Sequence, residues 1–189
     1  FLLLAVPFTG LLERVASKLM AQELAKLDET PAHYRSVLNQ NALDNMDVAI
    51  ASIRREIQRM LLLTEEMMLP VMELFKEYDS ARLERVVKKD LIINDALNGT
   101  RRYVSELSGK KSSKNSNDGH RKELSNLLEF AIAIEAAGDV VSKTLSKLVA
   151  NKDREGVRFS SEGLAELRSM HDKVIANISL AGNVLVSGD

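Results

Sequence analysis

The sequence predicts an all-α fold, an antiparallel bundle of long helices, and three observations lead to this class. Good helix formers, chiefly Leu, Ala, Glu, Lys, Met and Arg, are abundant in the chain of 189 residues. Apolar residues recur at spacings of three and four over long stretches, which is the period of an amphipathic helix. No stretch shows the two-residue alternation of apolar and polar side chains that is typical of a strand.

The composition excludes several classes of function. Hydrophobic residues make up 45% and charged residues 28%, proportions that are typical of a folded domain. The formal net charge of -1 provides no basic field for nucleic acid, so we expect no nucleic-acid partner. The chain has no cysteine, which excludes a disulfide framework, a thiolate nucleophile and a cysteine zinc site.

The chain opens with an apolar segment, Phe1–Phe8, that is much shorter than the roughly 20 residues needed to cross a bilayer. We interpret it as the end of a membrane segment, followed by an amphipathic juxtamembrane helix over Leu11–Leu27. On this interpretation residues 1–30 form one unit and the helical bundle spans 31–189. The alternatives are the start of a core helix, or a signal peptide that lacks the usual basic region and cleavage site.

The first helix of the bundle is predicted over Asp44–Tyr78. Pro70 interrupts it, and because proline lacks an amide hydrogen and clashes with the preceding turn, we expect a kink there. Its apolar positions keep a nearly unbroken three-four spacing, typical of a seam buried between helices. They are Met46, Ile50, Ile53, Ile57, Met60, Thr64, Met67, Val71, Leu74 and Tyr78.

The second helix is predicted to start at Ser80, a good N-cap residue. Asp90 falls in its seam, where an apolar residue belongs. The full seam is Leu83, Val86, Asp90, Ile93, Leu97, Thr100, Val104 and Leu107. The segment Ser108–Gly119 that follows has no apolar residue and is predicted to be a mobile loop. Its lysines are either solvated or available to anionic phosphates or lipid.

Two further helices complete the predicted bundle. One covers Lys122–Ala150, with the seam Leu127, Ala131, Ile134, Gly138, Val141, Leu145 and Leu148. A polar turn over Asn151–Gly156 separates it from the other, which starts near Ser160 or Ser161. The seam of this last helix is Leu164, Leu167, His171, Val174, Ile178, Ala181 and Leu185. Four long helices with short connections favour an antiparallel bundle.

No catalytic set is apparent, and we expect that the chain is not an enzyme. His33 and His120 fall in connecting segments, and His171 lies in an apolar seam, where we predict a hydrogen-bonded histidine of the core or its edge. The sequence contains no glycine-rich phosphate loop, no GxSxG and no HExxH.

Oxygen-bearing side chains form the one candidate site. Glu135 and Asp139 are four residues apart and share a helical face, as do Asp90 and Asn94 on the preceding helix. If the two helices are neighbours, these four side chains converge, and carboxylates on facing bundle helices are a known way to hold metal ions. The alternative is that they are ordinary acids on charged helical surfaces. A pair of carboxylates also suits acid–base catalysis, but no substrate pocket is recognisable around it.

The order of these motifs resembles the PhoU-like domains, in particular the cytoplasmic PhoU-like domain of bacterial sodium/phosphate cotransporters. The resemblance extends from about Leu27 to Ser187. Four segments carry it: Asp90–Asn94, Thr100–Leu107, Leu127–Asp139 and Phe159–Leu167.

This resemblance implies a fold of two three-helix repeats, so we expect the first repeat, the start of the second, and a truncated end. It implies a regulatory domain of a sodium-dependent phosphate cotransporter, on the cytoplasmic side of the bacterial inner membrane. The expected partners are the membrane domain of the transporter and a further copy of the chain, with phosphate and sodium handled by the full-length protein. The alternatives are a soluble PhoU-type regulator of phosphate uptake and a carboxylate metal-binding bundle.

The resemblance also implies a metal site, because the family binds metal clusters through Glu/Asp-x-x-x-Asp motifs. Glu135 and Asp139 match this motif, whereas Asn94 replaces the final acid of the motif that starts at Asp90, and Val140 replaces the family's histidine. No cofactor is certain; the candidate is a divalent ion, or an iron or zinc cluster, held by these four oxygen-bearing side chains.

Overall fold

The computed structural model of the protein describes residues 34–110 and 118–187, and all regular structure in these two ranges is helical. The predicted all-α class is therefore confirmed. The predicted membrane segment and juxtamembrane helix lie outside the described residues, as does most of the predicted loop before the third helix. After a 3-10 turn at Gln40–Ala42, the elements are α1 (Met46–Met68), α2 (Val71–Lys76), α3 (Ser80–Lys110), α4 (Asp118–Asp139), a π-helical turn (Val140–Leu145), α5 (Ser146–Arg154) and α6 (Ser161–Ser187).

Helix α1 is the centre of the bundle and packs against α3, α4 and α6. Its predicted seam is confirmed, because every position from Met46 to Leu74 is at most 9% exposed. Tyr78, the last predicted position, is 38% exposed. The reason is local: the backbone becomes extended at Glu77, so the helical period ends before the seam reaches Tyr78.

Pro70 divides the first predicted helix in two, which confirms the expected interruption. Helix α1 ends at Met68, and α2 begins at Val71 directly after the proline. A helix end leaves carbonyl oxygens without an intrahelical donor. His171 of α6 approaches one of them, with Nε2 3.0 Å from the carbonyl oxygen of Met68. His171 is 8% exposed, so the prediction of a hydrogen-bonded histidine in the core is confirmed.

Side chains cap α1 and α3 at their N-termini. The Asn45 side chain accepts a hydrogen bond from the backbone N–H of Val48 and begins α1. Asp79, not Ser80, caps α3, because its carboxylate accepts a hydrogen bond of 2.9 Å from the Arg82 N–H. The predicted cap at Ser80 is therefore wrong by one residue, in a segment where both residues are good caps.

The π-helical turn changes the register of the third predicted helix. A π turn contains one residue more than an α-helical turn, so the positions after it rotate relative to those before it. Leu148, predicted to lie in the seam, is 50% exposed, and Val149 takes its place at 2%. The predicted seam is correct as far as Val141 and wrong at Leu148 for this reason.

The connection from α5 to α6 is shorter than predicted, because α5 continues to Arg154. Gly156 then adopts a φ of 64°, which few residues other than glycine tolerate. The N–H groups of Gly156 and Val157 donate to the carbonyl oxygens of Asp153 and Lys152, each at 3.0 Å. These bonds form a common glycine-dependent helix end, and α6 starts at Ser161, within the predicted range.

Helix α6 packs chiefly against α1. Most of its predicted seam is half-buried, as at Leu164, Leu167 and Ile178, while Leu185 is buried. Across the described ranges, none of the helices combines the length and the apolar character needed to cross a membrane.

Candidate functional site

The predicted site residues lie where α3 and α4 approach each other closely. Gly138 permits this approach: a Cβ at this position would lie 3.3 Å from Ile93 Cδ1 and 3.5 Å from Asp90 Oδ1. Because the glycine has no side chain, the carboxylate of Asp90 can rest against the backbone of α4.

Asp90 is buried, and one of its two carboxylate oxygens lacks a hydrogen-bond donor. It is 6% exposed. Its Oδ2 accepts a hydrogen bond of 3.2 Å from the Asn94 side chain, while its buried Oδ1 has no donor within hydrogen-bonding geometry. The Ser142 hydroxyl, which makes a weak hydrogen bond of 3.4 Å to the carbonyl oxygen of Asp139, is also near enough to Asp90 to favour its ionised form. An incompletely satisfied buried carboxylate is costly to ionise.

Asp90 and Asp139 form a carboxylate pair across the two helices. Burial raises the pKa of the Asp90 carboxyl above its ordinary value, and the negative charge of Asp139 raises it further. Ser142, Lys143 and Asn94 favour the ionised form and offset part of this rise. The two carboxylates are thus close enough to repel each other, and the proton affinity of Asp90 responds to that repulsion.

Lys143 supplies a positive charge to the carboxylate pair. Its Nζ lies 2.5 Å from Asp139 Oδ1, one helical turn away along the chain. The hydrogen bond to Asp139 raises the pKa of Lys143, and the charges of Asp139, Asp90 and Glu135 raise it further. Lys143 therefore stays protonated and acts as the counter-cation of the pair.

The structure places three of the four predicted ligands near one helix crossing. Asn94 donates a hydrogen bond to Asp90, and the charge of Asp139 acts on Asp90, whereas the charge of Glu135 acts on Lys143. In the part of the chain that the structure describes, no three histidine or carboxylate side chains are grouped so that they could hold a metal ion.

The donor set as folded fits an ammonium better than a metal ion. Asn94 directs its NH₂ group to Asp90 instead of offering an oxygen, and the Lys143 ammonium already contacts Asp139. A metal ion here would have to displace Lys143. Metal binding by these residues stays a prediction.

Sequence reasoning did not identify Lys143 as part of the site. A signal was present, because Lys143 follows Asp139 by four residues, the spacing of a helical ion pair. Such pairs are common on helix surfaces, so the spacing did not mark this one as a neighbour of the buried Asp90 carboxylate.

A second buried polar network was also not predicted. Glu56 is fully buried on α1 and pairs with Arg59, with 2.5 Å between Oε1 and Nη2. Its Oε2 accepts a hydrogen bond of 2.7 Å from the Val37 N–H. The Tyr103 hydroxyl donates to the Asn39 carbonyl oxygen at 2.6 Å. These contacts fasten the segment before α1 to the bundle, which is a structural role.

Comparison with known proteins relates the helix crossing to a domain family. Residues 57–147 match the PhoU domain, a range that contains the carboxylate pair and Lys143. The chain is 28% identical to the "Putative inorganic phosphate export protein YjbB" of Salmonella typhimurium strain LT2. It is 25% identical to the protein of the same name from Escherichia coli strain K12.

These similarities extend over 97% and 99% of this chain but over 32% and 33% of the two relatives. The chain thus spans about a third of the length of the curated relatives that it matches. No solved structure matches it. What relates this chain to known proteins is therefore a PhoU domain match around the helix crossing, together with similarity, along nearly its whole length, to proteins that carry the name "Putative inorganic phosphate export protein YjbB".

Proposed function

We propose that this chain is a PhoU-type regulatory domain that controls the movement of inorganic phosphate across a membrane. The observation that carries the proposal is the coincidence of two similarities in one chain. Residues 57–147 match the PhoU domain, and 97% of the chain is similar to a protein named for phosphate export. The proposal places the domain on the cytoplasmic side of the membrane, in contact with the segments that carry out transport.

Two versions of this function remain distinct. In the first, the domain regulates a sodium-dependent cotransporter of phosphate. In the second, it is a PhoU-type regulator whose action does not depend on sodium. The similarities support the second version at least as well, because they concern phosphate and say nothing of sodium.

The geometry supports a regulatory role in preference to a catalytic one, and we assign the chain no chemical reaction. Asp90, the carboxyl group whose pKa is raised by burial and by the charge of Asp139, lines none of the pockets described at the surface of the bundle. A regulator acts by contacting two states of its target differently. Exposed helix faces and loops at the end of a helical bundle are suited to such contacts.

Phosphate flux in cells tests the proposal. Uptake and release of radiolabelled phosphate would be compared between cells with the intact protein and cells that lack residues 34–187. Each measurement would be made in sodium buffer and in potassium buffer. We expect the deletion to change flux in at least one direction. A change confined to sodium buffer would favour the cotransporter version, whereas unchanged flux in both directions and both buffers would contradict the proposed function.

A further inference from the structure

A pocket of about 510 Å³ lies at one end of the bundle, and none of the residues of the carboxylate pair lines it. The end of α2, the last turn of α5, the following loop and the first turn of α6 surround it. We call it the basic pocket and define it by Phe75, Lys76, Lys152, Arg158, Phe159 and Leu164.

Positive charge is in excess around the basic pocket. Lys76, Lys152 and Arg158 line it, against a single acid, Asp153. Lys76 is paired with Glu73, with 3.1 Å between Nζ and Oε1. Among the described residues, neither Lys152 nor Arg158 forms an ion pair. Two cations are therefore available to an anionic ligand.

The shape of the pocket follows from the end of α5. Gly156, with its positive φ, turns the chain back, so that Phe159 meets Phe75 of α2 edge to face. The ring centroids are 5.9 Å apart, at an interplanar angle of 69°. The Lys152 ammonium lies 5.7 Å from the centroid of the Phe159 ring, a cation–π distance. The two rings thus form an apolar wall that holds one of the available cations in place.

The start of α6 adds to the attraction for anions. The Ser160 hydroxyl accepts a hydrogen bond of 3.0 Å from the Gly163 N–H and begins this long helix. The first amides of a helix and its dipole favour a negative charge nearby. The carboxylate of Glu162, in the first turn of α6, offsets part of this positive potential. Lys152 and Arg158 therefore remain the main source of positive charge around the pocket.

We propose that the basic pocket binds a phosphate group, through Lys152 and Arg158. Guanidinium and ammonium groups are the side chains that recognise phosphate in proteins. The proposal deepens the proposed function by giving the domain a place to sense phosphate, and the choice of phosphate among anions rests on that function. The phosphate group comes either from free inorganic phosphate or from the headgroup of an anionic lipid.

Binding measurements on the purified 189-residue chain test the proposal. The first arm is calorimetric titration with inorganic phosphate, with sulfate as the competing anion. The second is co-sedimentation with vesicles of phosphatidylcholine, with and without phosphatidylglycerol. The test variant is Lys152→Gln/Arg158→Gln. The control variant is Arg102→Gln/Lys173→Gln, which removes the same charge from exposed positions outside the pocket.

We expect the test variant to lose at least tenfold in affinity and the control to keep the wild-type affinity, at equal helix content by circular dichroism. Binding of free phosphate without vesicle binding would identify the ion as the ligand. Binding only to vesicles with phosphatidylglycerol would identify the headgroup. No binding in either arm, or equal loss in both variants, would overturn the proposal.

Flux measurements separate the two proposals from each other. If phosphate flux depends on residues 34–187 but Lys152→Gln/Arg158→Gln leaves both flux and binding unchanged, only the basic pocket is wrong. If flux does not depend on the domain at all, the proposed function fails, whatever the pocket binds in solution.

Discussion

Asp90 carries a charge where the helical pattern of α3 calls for an apolar side chain. Its carboxylate lies against Gly138 and is repelled by the negative charge of Asp139. The positive charge of Lys143 offsets part of this repulsion. A raised pKa in the folded state means that ionised Asp90 opposes folding above that pKa. The penalty disappears as the pH falls through the raised pKa toward the ordinary value.

Asp90→Asn is expected to increase the free energy of unfolding at pH 7 by about 1 kcal/mol, a usual size for coupling between contacting groups. The wild-type chain should recover this difference as the pH is lowered toward 4. Urea denaturation at both pH values measures it. Asp95→Asn, an exposed change on the same helix, is the control. A destabilised Asp90→Asn variant, or a difference that does not depend on pH, would contradict this account.

Lys143 occupies the position beside Asp139 that a cation would take. If its ammonium is the counter-cation, Lys143→Ala should bind Mn²⁺ or Zn²⁺ more tightly than the wild-type chain, because the cation position is then vacant. Calorimetric titration measures this gain, and Lys143→Ala/Asp139→Ala should abolish it. A different result would contradict this role of Lys143. If the wild-type chain binds metal stoichiometrically, and both Glu135→Ala and Asp139→Ala lose it, the metal site that the family resemblance implies is established.

At the scale of single elements, the π-helical turn at Val140–Leu145 determines which face of α5 is buried. It adds one residue to the turn, so Ser142, Ser146 and Val149 face the bundle. The Ser146 hydroxyl donates a hydrogen bond of 2.9 Å to the Val141 carbonyl oxygen, five residues earlier. This hydrogen bond provides a donor for a backbone carbonyl oxygen of the π-helical turn. The turn also follows Asp139 directly and contains Lys143, so it shapes the site as well as the core.

The change of register predicts that truncating Val149 destabilises the fold strongly and that truncating its neighbour Leu148 does not. Val149→Ala should lower the free energy of unfolding by about 2 kcal/mol, because it removes buried methyl groups and leaves a cavity. Leu148→Ala should change it by less than about 0.5 kcal/mol, since Leu148 is half exposed. Thermal or urea unfolding of both variants measures the contrast. The reverse order of the two effects would show that α4 continues into α5 without the extra residue.

At the scale of the whole molecule, contacts between distant residues hold α6 on the rest of the bundle. His171 binds the carbonyl oxygen of Met68 at the break before Pro70. Arg54 of α1 donates to the Leu185 carbonyl oxygen at 2.9 Å and also pairs with Glu123 of α4 at 2.7 Å. Polar contacts therefore hold α6 near its middle, at His171, and near its C-terminal end, at Leu185, in addition to its half-buried apolar packing.

His171→Leu should lower the free energy of unfolding by about 2 kcal/mol, because it leaves the Met68 carbonyl oxygen buried without a donor. His171→Gln, whose side chain still carries an N–H donor, should recover part of this loss. Hydrogen exchange of the α6 amides shows whether the loss is local to that helix or global. Equal stability of the leucine variant and the wild-type chain would exclude a structural role for this hydrogen bond.

Much of the fold could be predicted from local patterns. The seam of α1 was predicted correctly because the three-four period of apolar residues is a property of one helix, whatever packs on it. The break at Pro70 follows from covalent structure, and the histidine in an apolar seam pointed to a buried hydrogen bond. The contact between α3 and α4, which brings Asp90 under the influence of Asp139, was also predictable, since consecutive helices of a bundle are usually neighbours. Metal binding by the four predicted side chains stays a prediction.

Other features depend on which groups face each other in space, and no local pattern specifies them. π-Helical turns are rare, so a helical pattern predicts an α-helix throughout, and only the burial of Val149 in the folded chain reveals the register after Asp139. Lys143 is one of many surface lysines until α3 places Asp90 opposite it. The basic pocket joins Phe75 to residues 152–164, which meet only after the chain has folded. Sequence periodicity therefore accounts for the helices and their buried faces, whereas charge pairing and pocket shape arise from contacts that form between them.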